Sequence, residues 1–333
     1  MKRLFLLIAL CGSIVAAKAQ APERQNWNED FPLYGNVESV TVTKYKLQDK
    51  FGEVIRGDVQ YKSKYCFNNA GDVIEEASYN SDGSLARKYI YKYDSSGNRI
   101  ERAAYNSDGS LYYKYIYKYN SYGNMIEEDY YNSDGSLQRK SIYKYESSGN
   151  KIGAAEYNSD GSLSGKYIYK YDSSGNKIED AIYNSAGPCG KSIYKYDSYG
   201  NMIEKALYYS DGSLNWKHIY KYDSSGNKIE DAGWNYNGRL DWKNIYKYDS
   251  SGNMIEDARY DYSDGSLHWK NIYKYDSSGN KIEKACYNSD GSLDSKLIYK
   301  YDSSRNRIEA TLYNDEALIP VSQSEIKIVY RNE

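Results

Sequence analysis

Residues 85–110 read LARKYIYKYDSSGNRIERAAYNSDGS, and the fold is decided inside this stretch. It holds two turn signals, Asp94-Ser95-Ser96-Gly97-Asn98 and Asn106-Ser107-Asp108-Gly109-Ser110. Each places glycine after three turn-forming residues. That order suits a type I turn closed by a left-handed glycine with a bulge, a three-residue hairpin loop. The segments between the turns are rich in Tyr and Ile, which favour strands. One such stretch is therefore two antiparallel strands.

The stretch recurs along the chain. Tyr-Lys-Tyr begins at Tyr91, Tyr117, Tyr143, Tyr169, Tyr194, Tyr220, Tyr246, Tyr273 and Tyr299, spaced by 26 residues with one 25 and one 27. A degenerate copy, Tyr65-Cys66-Phe67, lies 26 residues before the first. About ten units fill residues 65–313, so the array has to be read as a repeat before anything else. The fold class is all-β: a tandem β-hairpin repeat forming an elongated, twisted antiparallel meander or a curled sheet. A β-propeller is the alternative, with two units to a four-stranded blade. Blade strands differ from hub to rim, so a propeller should alternate between odd and even units, and no such alternation is present.

Loop lengths give an expected register. With Asp94 facing Asn98, Tyr93 faces Arg99, Lys92 faces Ile100 and Tyr91 faces Glu101. With Asn106 facing Ser110, Tyr105 faces Leu111 and Glu101 faces Tyr115. One face then carries Leu85, Tyr91, Tyr93, Glu101, Ala103 and Tyr105; the other carries Lys88, Ile90, Lys92, Ile100 and Arg102. A slip of one residue would exchange the two faces. The chain has 43 Tyr against 4 Phe. A Tyr ring packs while its hydroxyl stays in water. This predicts a thin sheet with partly dry faces, in keeping with the mean hydropathy of −0.87.

The ends differ from the middle. Residues 1–19 have a basic start (Lys2, Arg3), an apolar run and an Ala17-Lys18-Ala19 cleavage site, the plan of a secretory signal peptide too short to span a membrane. Residues 20–64 read as an N-terminal β cap and 314–333 as a C-terminal capping strand, whose charges would blunt an exposed sheet edge. The expected location is the periplasm, the cell surface or the extracellular space. Without Lys2, Arg3 and Lys18 the chain has 41 basic and 46 acidic residues, a net charge of −5, which argues against a nucleic-acid partner. No apolar run beyond the signal is long enough for a membrane-spanning helix. Cys66, Cys189 and Cys286 are several repeats apart and read as unpaired thiols.

The pattern Tyr-x-Tyr-Asp-x-x-Gly-Asn-x-Ile, present as YIYKYDSSGNRIE from Tyr89 to Glu101, resembles the YD repeats of the bacterial RHS family. The resemblance covers about residues 65–313 and implies strands that spiral into a shell. In that family the shell often surrounds a toxin domain. This chain is too short to enclose one, and none of its prolines follows an Asp, so the Asp-Pro motif tied to self-cleavage is missing. The aromatic and Asp-Gly pattern of Tyr130-Tyr131-Asn132-Ser133-Asp134-Gly135 is also similar to choline- and glucan-binding repeats of cell-surface proteins, although most units lack their Trp-Tyr pair.

Catalysis needs unlike groups converging in one pocket, whereas this chain repeats nearly the same groups about ten times. No enzyme activity, metal or cofactor is expected. His218 and His268 read as surface residues, and the Asp/Asn/Ser/Gly turns as turns rather than calcium loops. The Lys stripe reads as solvated strand charge. The distinctive irregularity is aromatic. Trp216, Trp242 and Trp269 share one repeat position in three consecutive units, and Trp234 takes a Tyr position nearby. By the register above these residues lie on the Tyr face, with Trp242 opposite Ala232, and form the candidate binding patch. The leading expectation is an exported, non-enzymatic surface or periplasmic interaction scaffold, with a protein or a cell-surface polysaccharide as partner. The alternatives are a cell-surface polysaccharide binder using the Trp/Tyr row and a purely structural array.

Overall fold

The computed structural model describes residues 33–331 apart from 52, 263, 316 and 317. The signal-peptide reading and the start of the N-terminal cap fall outside these residues. The described chain has 22 strands, from β1 (Val37–Lys50) and β2 (Glu53–Phe67) to β21 (Arg307–Asn314) and β22 (Ile319–Tyr330). Each pairs antiparallel with the next, as in the hairpin of β4 (Leu85–Tyr93) and β5 (Arg99–Tyr105).

The turns form as their residues dictate. The Asp94 N–H donates to Asn98 O at 2.9 Å and the Gly97 N–H to Asp94 O at 3.1 Å, with Gly97 at φ +83°. Asp94 Oδ1 accepts the backbone N–H groups of Ser96 and Asn98, and its Oδ2 accepts the Asn98 side chain. These bonds, the one from the Asn98 side chain foremost, hold the Asp94 carboxyl below its usual range. The oxygens that a calcium loop would offer are occupied by the turn's own donors.

The register departs from the expected one at one residue per hairpin. Tyr93 faces Arg99 and Tyr105 faces Leu111 as expected, but Lys92 faces Glu101, Tyr91 faces Arg102 and Ile90 faces Ala103. Glu101 in turn faces Ile116 of β6 (Leu111–Tyr119) rather than Tyr115. Ile100 and Tyr112 are the extra residues of two bulges. The faces change accordingly. One wall carries Lys88, Ile90, Lys92, Glu101, Ala103 and Tyr105. The other carries Tyr89, Tyr91, Tyr93, Arg99 and Arg102. Glu101, Ala103 and Tyr105 thus leave the Tyr face to which regular alternation had assigned them, and Arg102 joins it.

The curl goes to completion. β22 pairs with β21 on one side and with β1 on the other, where Val40 faces Ile328 and Val42 faces Ile326. The sheet is a closed 22-stranded meander barrel, and β22 blunts no edge because there is none. Ile90 pairs through Ala103 to Lys114, whereas its repeat equivalent is Ile116. Every unit is therefore staggered by two residues. Such stagger tilts the strands by roughly 35–40° and gives a ring about 40 Å across, too wide for side chains to fill.

The same geometry tells inside from outside. The turn bonds of Asp94 fix that Lys92, two residues earlier on the same strand face, also aims its backbone groups at β5. With β4 running upward and Lys92 toward the viewer, the chirality of L-residues then places β5 to the right. The upward stagger makes the strands lean right in this view, as barrel strands do when seen from outside. The Lys/Ile/Glu wall is therefore the outer one and the Tyr/Arg wall lines the bore. Burial agrees. It pushes the bore phenols of Tyr117, Tyr220 and Tyr301 up to about 12.

Two devices hold the ring. In every full unit the last Tyr of Tyr-Lys-Tyr donates its hydroxyl to a backbone carbonyl of the preceding unit: Tyr93 to Val73, Tyr119 to Arg99, Tyr222 to Met202, at 2.8 Å each. This corrects the expectation of a wet hydroxyl and explains why Phe does not serve. Cations sit between successive bore rings, as Arg99 does over Tyr91 and Tyr117 and Lys228 over Tyr220 and Tyr246. At the closure, Leu33, Val37, Val40, Phe67, Val73 and Ile326 form the buried apolar cluster. Asn306, fully buried, accepts from the Tyr34 N–H and donates to Tyr34 O and the Tyr330 hydroxyl. Cys66, Cys189 and Cys286 are free thiols.

The raised phenols make an alkaline prediction. A phenol that titrates at about 12 in the wall and 10.0 when unfolded favours the folded state fully below pH 10, and this contribution is lost as pH rises through 12. Phenolate absorbance and loss of near-UV dichroism should therefore rise together between pH 10 and 12. Titration of all tyrosines near pH 10 with the fold intact would contradict the buried wall.

Candidate functional site

The site lies on three neighbouring strands, β14 (Leu214–Tyr222), β15 (Lys228–Asn235) and β16 (Leu240–Tyr248). Their bore-facing residues include Trp216, His218 and Tyr220 on β14, Asp231 and Gly233 on β15, and Trp242 and Asn244 on β16. His218 faces Gly233, Gly233 faces Trp242, and Asp231 faces both Tyr220 and Asn244. Trp242 is opposite Gly233 rather than Ala232, since the bulge displaces the register by one residue.

Gly233 decides the geometry. A Cβ there would lie 2.4 Å from Cε2 of Trp242. Its absence lets the indole lie down over β15 and reach His218, 5.0 Å away and edge-on. Trp216 meets the other side of the imidazole at 4.8 Å. Arg259 stands 4.6 Å over the Trp242 ring and Lys205 5.5 Å over Trp216. Trp269 faces Arg259 in the register, extending the aromatic and cationic strip by one unit.

Two acceptors on this strip are left over. Asp231 Oδ1 and Asn244 Oδ1 are buried without a hydrogen-bond partner, although Asp231 Oδ1 lies 3.4 Å from His218 Nδ1. Buried acceptors normally have donors; both oxygens are closed to solvent in this structure, so a ligand hydroxyl or N–H group reaches them only where a covering side chain moves aside. Among the described residues no group of three or more His, Cys, Asp or Glu side chains could hold a metal ion.

The predicted patch is thus partly assembled. Trp216, Trp242 and Trp269 share the bore wall. Trp234 is on the outer wall, facing Lys217 in the register and with the Lys217 ammonium 5.6 Å from its ring, because residues at its repeat position point away from the bore. His218 was taken for a surface residue and instead is half-buried between two indoles. The signal that could have found it is Gly233, the one glycine that takes this strand position in any unit. His268 does lie at the surface, 3.0 Å from Asp261.

No family model and no curated protein matches the chain. Among solved structures, the TcdB2-TccC3-Cdc42 crystal structure has 14% identity and a TM-score of 0.34, over 85% of this chain and 18% of that one. A porin-like protein from Bacteroides uniformis has 8% identity and a TM-score of 0.27, over 88% of this chain and 96% of its own. A DUF3836 family protein from Bacteroides vulgatus has 22% identity and a TM-score of 0.16, over 27% of this chain and 85% of its own. The chain spans less than a fifth of the length of the TccC3-containing chain.

Proposed function

We propose that the chain is an exported, non-enzymatic binding scaffold whose bore receives an extended ligand, and that this ligand is a glycan. The observation that carries the reading is the presence on one stretch of bore wall of two indoles, Trp216 and Trp242, each against His218, and two acceptors without a hydrogen-bond partner, Asp231 Oδ1 and Asn244 Oδ1. Sugar rings offer apolar faces for stacking and hydroxyl donors at their edges. The His218–Asp231 contact has indoles and the Tyr220 phenol beside it rather than a serine or cysteine nucleophile, which supports a binding role over catalysis. The resemblance to RHS-type strands supports a shell-like scaffold.

Location is part of this proposal. The signal-peptide plan read from residues 1–19 supports export. No helix among the described residues is long and apolar enough to cross a membrane. The outer wall carries charged pairs, such as Lys92 with Glu101 at 2.9 Å and Lys221 with Glu230 at 3.0 Å. Such a surface is costly against lipid and supports a barrel wetted on both sides.

Tryptophan fluorescence titrated with soluble polysaccharides tests the reading. A saturable change is expected. Gly233→Leu, which drives Trp242 off its seat while leaving the ladder bonds intact, should weaken it by about tenfold or more, as should Trp242→Ala. A response to no polysaccharide, or one unaffected by either substitution, would sink the glycan reading.

A further inference from the structure

The outer wall carries a second, unrelated irregularity. Eight of the nine Tyr-Lys-Tyr lysines hold a glutamate on the next strand at 2.5–3.0 Å: Lys92 with Glu101, Lys118 with Glu127 and so on to Lys300 with Glu309. Two of these glutamates also take a second lysine from the following strand, Glu127 taking Lys140 and Glu283 taking Lys296, both at 3.0 Å. At one unit the glutamate is replaced by Gly153.

Gly153 faces Lys144 of β8 (Leu137–Tyr145) and Ile168 of β10 (Leu163–Tyr171). With the carboxylate gone, Lys144 and Lys166 are the two lysines that would have held it, and both are exposed. Between them is an open cleft of about 410 Å³, lined by Ile142, Ile152, Leu163, Ile168 and the two lysine stems. The floor is apolar, and Lys144 and Lys166 both line the cleft.

We propose that this cleft binds a small aliphatic monocarboxylate, its carboxylate taking the position that glutamate holds in the other units and its tail lying on the isoleucines. Two cations supply charge-assisted bonds to one anion, and the apolar floor selects for a hydrocarbon body. A carboxylate without a tail, or a tail without a carboxylate, uses half of the site.

The test uses octanoate as the probe, followed by calorimetry on the full mature chain. One site per chain is expected. Acetate and 1-octanol should each bind at least about tenfold more weakly. Gly153→Glu restores the internal carboxylate and should abolish octanoate binding. A Cβ at Gly153 lies 3.2 Å from Tyr167 O, and nine other units carry Glu there, so the wall should accept it. Should that variant fail to fold, Lys144→Gln and Ile152→Ser, each expected to weaken binding by about threefold to tenfold, decide in its place. Unchanged affinity in the variants, equal affinity for acetate, or many equivalent sites around the ring would overturn the proposal.

Discussion

Truncation ahead of Ile319 is expected to abolish the monomeric barrel. The cut removes β22, which alone joins β21 to β1. It takes Ile326 from the apolar cluster and Tyr330 from Asn306. Losing one large core side chain costs about 2–5 kcal/mol. Here that loss comes with two rows of unpaired backbone groups, the template on which strands of another molecule add. Hairpins far from the cut keep their neighbours, as in any repeat array. The β signal in far-UV dichroism should therefore persist while size-exclusion chromatography shows oligomers or aggregate. A truncated chain that elutes as a monomer with an unchanged radius would show that the closure does not hold the ring.

Asn306→Ala should be the most damaging single deletion of a polar side chain. The equivalent Asn227 bonds only within its own turn, to the two carboxylate oxygens of Asp223. Asn306 instead bridges the first and last described segments, through Tyr34 and Tyr330. Alanine leaves the Tyr34 N–H and C=O short of partners in a part-buried place and takes one of two bonds from the Tyr330 hydroxyl, which keeps Asp302, at a cost of about 3 kcal/mol. For a chain of this size that is a fall in Tm of roughly 4–5 °C. Asn227→Ala should cost under about 1 kcal/mol. Equal effects in thermal melts would show that the closure bonds add nothing beyond the local turn.

The difference between these two asparagines marks how far the sequence could be read. Repeat length, turn type and hairpin pairing were legible, because Asp-Ser-Ser-Gly-Asn has one comfortable backbone and its spacing is nearly constant. The faces were not. Regular alternation puts Tyr91 and Ala103 on one side; the extra residues Ile100 and Tyr112 put them on opposite sides. A bulge leaves no mark in a strand made of Tyr, Lys, Ile and Arg. Closure was equally hidden, since it depends on a two-residue stagger that only the paired strands reveal. At the site, the shared wall of Trp216, Trp242 and Trp269 was legible from their common repeat position. The exclusion of Trp234 and the seat of His218 required knowing what lies across the strand, and there the decisive residue is a glycine.

The constant stagger has one more consequence. Each unit brings two strands and two residues of offset, so the tilt of the wall does not depend on how many units there are. Tyr-to-carbonyl staples join each unit only to the one before it, and the closing contacts involve only the two ends. Loss or duplication of one unit would therefore leave a tube that still shuts, with its calibre changed by about a tenth. Calibre in such a chain is written as gene length, and unequal recombination between near-identical units could rescale the bore in a single step without redesigning any interface.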